Sequence, residues 1–162
     1  MPDFSLELAA RTEGITGPII GVDEVGRGPW AGPVFACAAL LFERPAPQDF
    51  LNALGDSKQL SRKKREALAP LIQSHALIAL EEASVTEIEN LNILGATKLA
   101  MKRAVEALEA QIETPIGLAL IDGNQPPKLS CNTKSVVKGD GISASIAAAS
   151  IFAKVARDQY MA

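Results

Sequence analysis

The segment that most constrains the fold is an apolar run that ends in two adjacent acids and a glycine-flanked arginine. It reads Ile19-Ile20-Gly21-Val22-Asp23-Glu24-Val25-Gly26-Arg27-Gly28-Pro29. An apolar run of this length is typical of a buried strand, which we predict over residues 18–24. Two carboxylates at its end are costly to bury unless a cation or hydrogen bonds compensate them. Taken alone, the segment leaves two interpretations open: a metal-assisted phosphoryl-transfer site or ordinary turn chemistry.

Composition sets the broad class. The chain has 162 residues, of which 48% are hydrophobic and 22% charged, a balance typical of one globular domain with a substantial core. No apolar stretch approaches the roughly 20 residues of a membrane span. The acidic N-terminus lacks the basic-then-apolar layout of a secretion signal. We therefore expect a cytoplasmic protein with no membrane partner.

The supply of cysteine, histidine and basic residues narrows the possible chemistry. Cys37 and Cys131 are the only cysteines and belong to no CxxC or Cys/His cluster, which argues against a zinc site. His75 is the single histidine, which weakens any His-based triad. The net charge of −3, with basic residues in local clusters, neither demands nor excludes a polyanionic substrate. Any catalysis must therefore depend on carboxylates.

Hydrophobic patterning predicts a mixed sheet with helices around it. Besides the first strand, four further segments are predicted strands: residues 34–42, 76–82, 116–122 and 136–138. Three segments with capping signals or helical spacing are predicted helices: residues 61–74, the long region after the capping-box pair Ser84 and Glu87, and residues 143–162. Residues 42–56, with two prolines, are predicted to form a loop. We predict a mixed sheet flanked by helices.

Three of the predicted strands end in, or are closely followed by, acids beside glycines. Asp23-Glu24 ends the first strand, Asp122 ends the fourth, and Asp140 follows the fifth. Sites in open sheets gather at the carboxyl ends of strands. Oxygen ligands suit Mg²⁺ or Mn²⁺ better than zinc, and four clustered carboxylates repel one another without a cation. The pattern therefore favours a metal site over turn chemistry.

Further motifs follow the opening segment in a fixed order. They are Asp56-Ser57-Lys58-Gln59-Leu60-Ser61, the stretch EIENLNIL at 87–94, IDGN at 121–124, VKGD at 137–140 and AAASIFAKVARD at 147–158. Together with the opening segment, this series resembles the motifs of bacterial ribonuclease HII. Gln59 replaces a lysine of the family pattern, and Glu89 replaces an aspartate. The resemblance implies an α/β, ribonuclease H-like fold, in which a five-stranded mixed β-sheet is flanked by α-helices.

The resemblance also implies a function. It is endonucleolytic cleavage of the RNA strand of RNA–DNA hybrids, and of single ribonucleotides embedded in duplex DNA, with two Mg²⁺ or Mn²⁺ ions. The products are expected to carry 3′-hydroxyl and 5′-phosphate ends. Matching the motifs residue by residue assigns the catalytic, metal-binding carboxylates to Asp23, Glu24, Asp122 and Asp140. The same matching assigns substrate contacts to Gly26, Arg27, Gly28, Lys58, Lys154 and Arg157.

The family pattern continues beyond the last helix with a tail whose tyrosine stacks at the ribonucleotide–DNA junction. By motif position, Tyr160 is not that tyrosine. We therefore expect residues 1–162 to form one ribonuclease H-like catalytic domain without that tail. We also expect a monomer that keeps its catalytic carboxylates but binds substrate weakly.

Two other functions stay open from the residues. The same fold and metal chemistry could act on another nucleic acid, such as a junction or a transposon end, although Gly26-Arg27-Gly28 beside the acids argues against this. The chain could instead be a non-catalytic nucleic-acid-binding domain. Retention of four carboxylates counts against that function, because acids without metal repel phosphate.

Overall fold

The computed structural model of the chain describes residues 1–26, 32–55 and 59–161. Its strands are β1 Ile19–Val25, β2 Val34–Leu40, β3 Leu77–Ala83, β4 Leu118–Asp122 and β5 Asn132–Val136. In the described residues they form one sheet in the order β3-β2-β1-β4-β5. β2 pairs antiparallel with both β1 and β3, whereas β4 pairs parallel with both β1 and β5. The predicted α/β fold with a five-stranded mixed sheet is confirmed.

Helices cover both faces of this sheet. They are α1 Ser5–Thr12, α2 Gln48–Ala53, α3 Arg62–His75, α4 Val85–Glu109 and α5 Ala144–Met161, with a short 3₁₀ turn at Gly139–Gly141. One face packs against α4, and the other packs against α5 and the smaller helices. Within the ranges described, no helix is both long and apolar enough to span a bilayer.

Alternation along β1 decides which side chains reach the site. Ile20 and Val22 pack in the core cluster that contains α4, whereas Ile19 packs with Ile146 of α5. Because successive strand residues point to opposite faces, Asp23 lies on the α5 face with Ile19. The same alternation along β4 places Leu118 and Leu120 on that face, and Asp122 continues the series.

The fifth strand lies earlier in the chain than predicted. The apolar pair Val136-Val137 suggested residues 136–138, but β5 is Asn132–Val136, and its first four residues are exposed. An edge strand with two polar faces produces no apolar run, so periodicity missed it. The strand is identified only by its parallel pairing with β4, from Leu118↔Asn132 to Asp122↔Val136.

Two helices were not predicted. Residues 42–56 were assigned to a loop because of their prolines, yet Pro47 is the N-cap residue of α2 and Phe50 buries its ring in the core. Proline is tolerated at the start of a helix, where its missing N–H has no intrahelical partner to lose. The other, α1, carries no side-chain cap at Phe4. Its start therefore has no capping motif of the kind used to predict helices.

The capping box that predicted α4 is present. Ser84 Oγ accepts a hydrogen bond from Glu87 N at 3.1 Å, and Glu87 Oε1 accepts one from Ser84 N at 3.0 Å. The helix is interrupted at Asn92, whose φ of 59° and ψ of 175° are not helical. Asn92 Oδ1 accepts from Gly95 N at 3.0 Å, so this side chain caps the second part of the helix.

Helix α5 lies unusually close to β1 at Gly21. A Cβ atom added at Gly21 would stand 2.2 Å from the Ser145 carbonyl carbon and 2.4 Å from Ile146 N. Both contacts are with backbone atoms, which cannot rotate away as a side chain can. Glycine at this position therefore sets the distance between the helix and the strand that carries Asp23.

We predict that Gly21→Ala destabilises the protein by about 1–3 kcal/mol or more, because the added methyl group forces α5 off the sheet. Urea unfolding of the variant and the parent chain measures the difference. Gly55→Ala is the matched control, since among the described residues its Cβ would meet only Leu60 Cδ2 at 3.8 Å. The control should stay within about 1 kcal/mol of the parent. Equal stability of all three proteins would contradict the close packing.

Candidate active site

The carboxyl ends of β1 and β4 bring two aspartates side by side. The parallel register runs from Ile19↔Leu118 to Val22↔Ile121, so Asp23 and Asp122 are the next neighbours along it. Both lie on the α5 face of the sheet. The charge of Asp122 raises the pKa of Asp23, so the two carboxyl groups lie within electrostatic reach of each other. The prediction that these two acids meet is consistent with this geometry.

Asp23 is the more deeply buried of the two, with 5% of its surface exposed. Burial raises the pKa of Asp23 well above its ordinary value, and the negative charges of Asp122 and Glu24 raise it further. Two hydrogen bonds oppose the shift: Glu24 N donates to Oδ1 at 2.8 Å, and the Ser150 hydroxyl donates to the carboxylate. The net result is a carboxyl group that ionises less readily than an ordinary aspartate.

Asp122 is oriented by the 3₁₀ turn that follows β5. Gly139 N donates to Asp122 Oδ1 at 2.7 Å, and the Asp140 N–H also donates to this carboxylate. Burial raises the pKa of Asp122, the Gly139 hydrogen bond lowers it, and the Asp140 charge raises it. The effects that raise the pKa of Asp122 are larger in sum. A cation near this carboxylate would therefore stabilise its charged form.

Asp140 lies in that turn, between Gly139 and Gly141, and is 5% exposed. The turn follows Lys138, which has a left-handed φ of 55°. A Cβ at Gly139 would stand 2.5 Å from Ile146 Cδ1 and 3.2 Å from Asp122 Oδ1, so a larger residue would displace the Ile146 side chain and crowd the Asp122 carboxylate. The structure thus brings Asp140 within electrostatic reach of Asp122.

Glu24 differs from the other three acids in its direction. It follows Asp23 in β1, so its side chain leaves the strand on the opposite side. It is half-buried, and its charge still raises the pKa of Asp23. All four predicted carboxylates therefore lie at one edge of the sheet, although three share the α5 face and Glu24 does not.

The donors fit an oxygen-liganded divalent cation. In the ranges described, no three His, Cys, Asp or Glu side chains are grouped so that they hold a metal ion by themselves. Mg²⁺ is commonly held by one or two carboxylates together with waters and substrate phosphate, rather than by an all-protein cage. The thiol beside Asp23, Cys37, is fully buried, and burial and the Asp23 charge raise its pKa, so it stays protonated. The arrangement suits a hard cation completed by substrate.

The predicted substrate contacts fall into two groups. Arg27, Gly28 and Lys58 lie outside the described residues. Gly26 follows the last residue of β1 with a φ of 104°, and a Cβ there would stand 2.9 Å from Arg157 Nε. That Nε atom is buried and has no hydrogen-bond partner among the described residues.

Lys154 is placed by helix geometry. Ser150, Lys154 and Arg157 are spaced four and three residues apart on α5, so they share one face of the helix. Ser150 contacts Asp23, and Arg157 lies against Gly26, at the two ends of this row. Lys154 therefore lies between them, along the edge of the sheet that carries the carboxylates.

Ser150 is a site residue that the sequence analysis did not identify. It is 1% exposed, yet its hydroxyl reaches Asp23. Its signal was present: Ser150 is a hydroxyl residue in the otherwise apolar run AAASIFA. A buried hydroxyl needs a hydrogen-bond partner, and the acids at the neighbouring strand ends are the partners available.

A cavity of about 580 Å³ lies at the opposite edge of the sheet, beside the amino ends of β1 and β4. It is lined by residues 14–17, 114–117 and 130–132, none of which is charged. Its lining therefore lacks both the carboxylates that Mg²⁺ prefers and cationic side chains for phosphate. The carboxylate edge is therefore the candidate active site.

Asp23→Asn should stabilise the metal-free protein by about 1–2 kcal/mol at pH 7. The pKa of Asp23 is raised in the folded state, so its stabilising contribution is complete below the ordinary value of 3.8 and is lost as pH rises through the folded value. Asparagine cannot ionise and removes that loss. Urea unfolding in EDTA from pH 4 to pH 8 measures the effect, with Glu106→Gln, an exposed acid on α4, as the control. A variant less stable than the parent at pH 7 would contradict the burial argument.

Known proteins resemble this chain in both sequence and fold. The family model described as Ribonuclease HII matches residues 20–162. Ribonuclease HII of Paramagnetospirillum magneticum is 51% identical over 100% of this chain and 76% of its own length, and that of Jannaschia sp. is 53% identical over 99% and 74%.

Solved structures show the same fold. In the PCNA:RNase HII complex from Archaeoglobus fulgidus, the matched chain has a TM-score of 0.69 and 23% identity, over 88% of this chain and 73% of that one. Bst-RNase HIII in complex with Mn²⁺ has a TM-score of 0.74 and 20% identity, over 98% and 64%. The family match and the curated relatives show that this chain belongs to the ribonuclease HII family of RNase H endonucleases.

Proposed function

We propose that this chain hydrolyses the RNA strand of RNA–DNA hybrids and cuts at single ribonucleotides embedded in duplex DNA. The observation that carries the proposal is the pair formed by buried Asp23 and half-buried Asp122 at adjacent parallel strand ends, with Asp140 oriented beside it. The pKa of each of the two paired acids is raised, and a divalent cation beside them would offset their mutual repulsion. Family membership supplies the substrate class.

The proposed cofactor is a pair of Mg²⁺ or Mn²⁺ ions. Bst-RNase HIII, which shares this fold, was solved with Mn²⁺. Divalent ions supply a Lewis acid for the scissile phosphate and a hydroxide source near neutral pH, and in-line attack leaves 3′-hydroxyl and 5′-phosphate ends. Asp23 and Asp122 are the proposed direct ligands, and Glu24 and Asp140 complete the set.

The chain's own groups prepare this site before substrate arrives. Gly139 N donates to Asp122 Oδ1 at 2.7 Å, which fixes the orientation of the carboxylate. The Ser150 hydroxyl fixes Asp23 in the same way. Locked ligands of this kind reduce the rearrangement needed when substrate binds.

Substrate is proposed to lie along the edge that Gly26, Lys154 and Arg157 share. The proposed contact to the 2′-hydroxyl, the group that separates RNA from DNA, is the segment Gly26-Arg27-Gly28 that follows β1. The cationic face of α5 supplies phosphate contacts. The proposed roles of Arg27, Gly28 and Lys58 stay predictions, as do the cytoplasmic location and the monomeric state.

Asp122→Asn should lower kcat on a duplex with one embedded ribonucleotide by more than the roughly 10–100-fold that loss of an outer-shell partner costs. The substitution keeps the shape and removes the charge. Gel-based cleavage assays at several Mg²⁺ concentrations measure the effect. Asp49→Asn, an exposed acid on α2, is the control and should cleave like the parent chain. An all-DNA duplex should resist cleavage. Undiminished Mg²⁺-dependent cleavage by the Asp122 variant would contradict the assignment of Asp122 as a metal ligand.

Lys154→Met should raise KM roughly 3–10-fold with little change in kcat, because it removes a phosphate contact but no metal ligand. The salt dependence of binding should also fall by about one unit of slope. Titration of a fluorescent hybrid at several salt concentrations measures both quantities. Lys63→Met, which replaces an exposed lysine on α3, is the matched control. If the two variants behave alike, Lys154 does not contact substrate.

A further inference from the structure

A buried acid outside the active site is bound to the segment that carries Asp140. Glu7, on α1, has none of its surface exposed. Its Oε2 atom accepts three hydrogen bonds: from Ser143 Oγ at 3.0 Å, Ser145 N at 3.3 Å and Ser145 Oγ at 2.6 Å. Among the described residues its other oxygen has no hydrogen-bond partner. The three hydrogen bonds to Oε2 therefore converge on the start of α5.

These bonds organise the first turn of α5. Ser143 Oγ accepts from Ile146 N at 3.2 Å, and Ser143 O accepts from Ala147 N at 2.9 Å, so Ser143 is the N-cap residue of the helix. Glu7 then accepts the N–H of Ser145, another amide that the helix leaves without an internal partner. A carboxylate at this position is also stabilised by the positive, N-terminal end of the helix dipole.

The same segment is attached to the catalytic acids. Ser143 N donates to Gly139 O at 2.8 Å, while Gly139 N donates to Asp122 Oδ1 at 2.7 Å. Asp140 lies in the short loop from Gly139 to Ser143 that the first of these bonds closes. Glu7 therefore holds, through Ser143, the 3₁₀ turn that positions both Asp122 and Asp140.

A second attachment comes from the residues just before α1. Asp3 N donates to Ile142 O at 3.1 Å, and Ala144 N donates to Asp3 O at 2.8 Å, which forms a parallel bridge between Asp3 and Ser143. The backbone bridge and the Glu7 side chain thus grip the same residues, 142–145. We call residues 3–7 the N-terminal clamp.

We propose that Glu7 is a positioning residue for the reaction, which it serves by holding residues 139–145 so that Asp140 and Asp122 stay in place. This inference rests on the proposed function. Burial raises the pKa of Glu7 even though its hydrogen bonds lower it, so the acid is kept at a cost to stability. An apolar side chain would fill the same space without that cost, but it would leave the serines and the helix N–H without an acceptor.

Two substitutions separate the hydrogen bonds from the volume of the side chain. Glu7→Gln keeps an oxygen that can accept the same three bonds, and Glu7→Ala removes it. Leu108→Ala, in the core on the α4 face, is the control for general loss of stability, since Leu108 is fully buried but far from the clamp. The measurements are kcat, KM and the Mg²⁺ concentration for half-maximal rate on the ribonucleotide duplex, each below the unfolding transition.

Glu7→Ala should lower kcat roughly 10-fold and raise the Mg²⁺ requirement, with KM within about 3-fold of the parent, because displaced carboxylates cost rate more than substrate binding. Glu7→Gln should recover most of kcat. Leu108→Ala should unfold more easily yet keep the parent kcat. Parent-like kcat and Mg²⁺ dependence in Glu7→Ala, or an equal loss of kcat in Leu108→Ala, would overturn the proposal.

Two further measurements cover the remaining outcomes. If Glu7→Ala does not fold, Ser145→Ala removes the 2.6 Å bond alone, and an unchanged kcat in that variant overturns the proposal. If the parent chain does not cleave, the proposed function fails, and amide hydrogen exchange then tests the clamp by itself. Faster exchange at Gly139 and Ile146 in Glu7→Ala than in Leu108→Ala supports the clamp, and equal exchange refutes it.

Discussion

The parallel pairing of β1 with β4 is the constraint on which the site depends. Because strand residues alternate between faces, this register sends Asp23 and Asp122 to the same face at the same edge. Antiparallel pairing would put their carboxyl ends at opposite edges. The pairing also brings together two acids, one buried and one half-buried, and the Ser150 hydroxyl and the Gly139 N–H donate hydrogen bonds that orient them.

Helix α5 connects the parts of the site. Its first turn is held by Glu7, its middle supplies Ser150 to Asp23, and its last turns place Arg157 against Gly26. This is possible only because Gly21 has no side chain to separate helix and strand. A shift of the helix would therefore move the ligands, the serine that orients Asp23 and the cationic face together. The packing of α5 thus determines the geometry of the site.

The sequence predicted best what is local. The acids at strand ends, the capping box at Ser84 and the mixed sheet follow from periodicity and short motifs, which depend on neighbours in the chain. The edge strand β5 was misplaced because its exposed residues carry no apolar pattern. Glu7 could not be found at all, since its partners lie 136 and 138 residues away and a single acid in α1 has no local signature. Ser150 was recoverable, because a hydroxyl residue in a run of apolar residues must have a partner.

The raised pKa of Asp23 has a consequence for how the proposed reaction would be controlled. Asp23 resists ionisation because burial and two neighbouring acids oppose it, so a cation must compete with a proton for the site. Mg²⁺ in proteins is commonly held by one or two carboxylates together with waters and substrate phosphate. A substrate phosphate would add oxygen ligands at the same edge, so cation and substrate would bind cooperatively. Under the proposed mechanism, the cation offsets the repulsion among the acids and the substrate phosphate helps to hold that cation, which ties hydrolysis to a correctly placed phosphate.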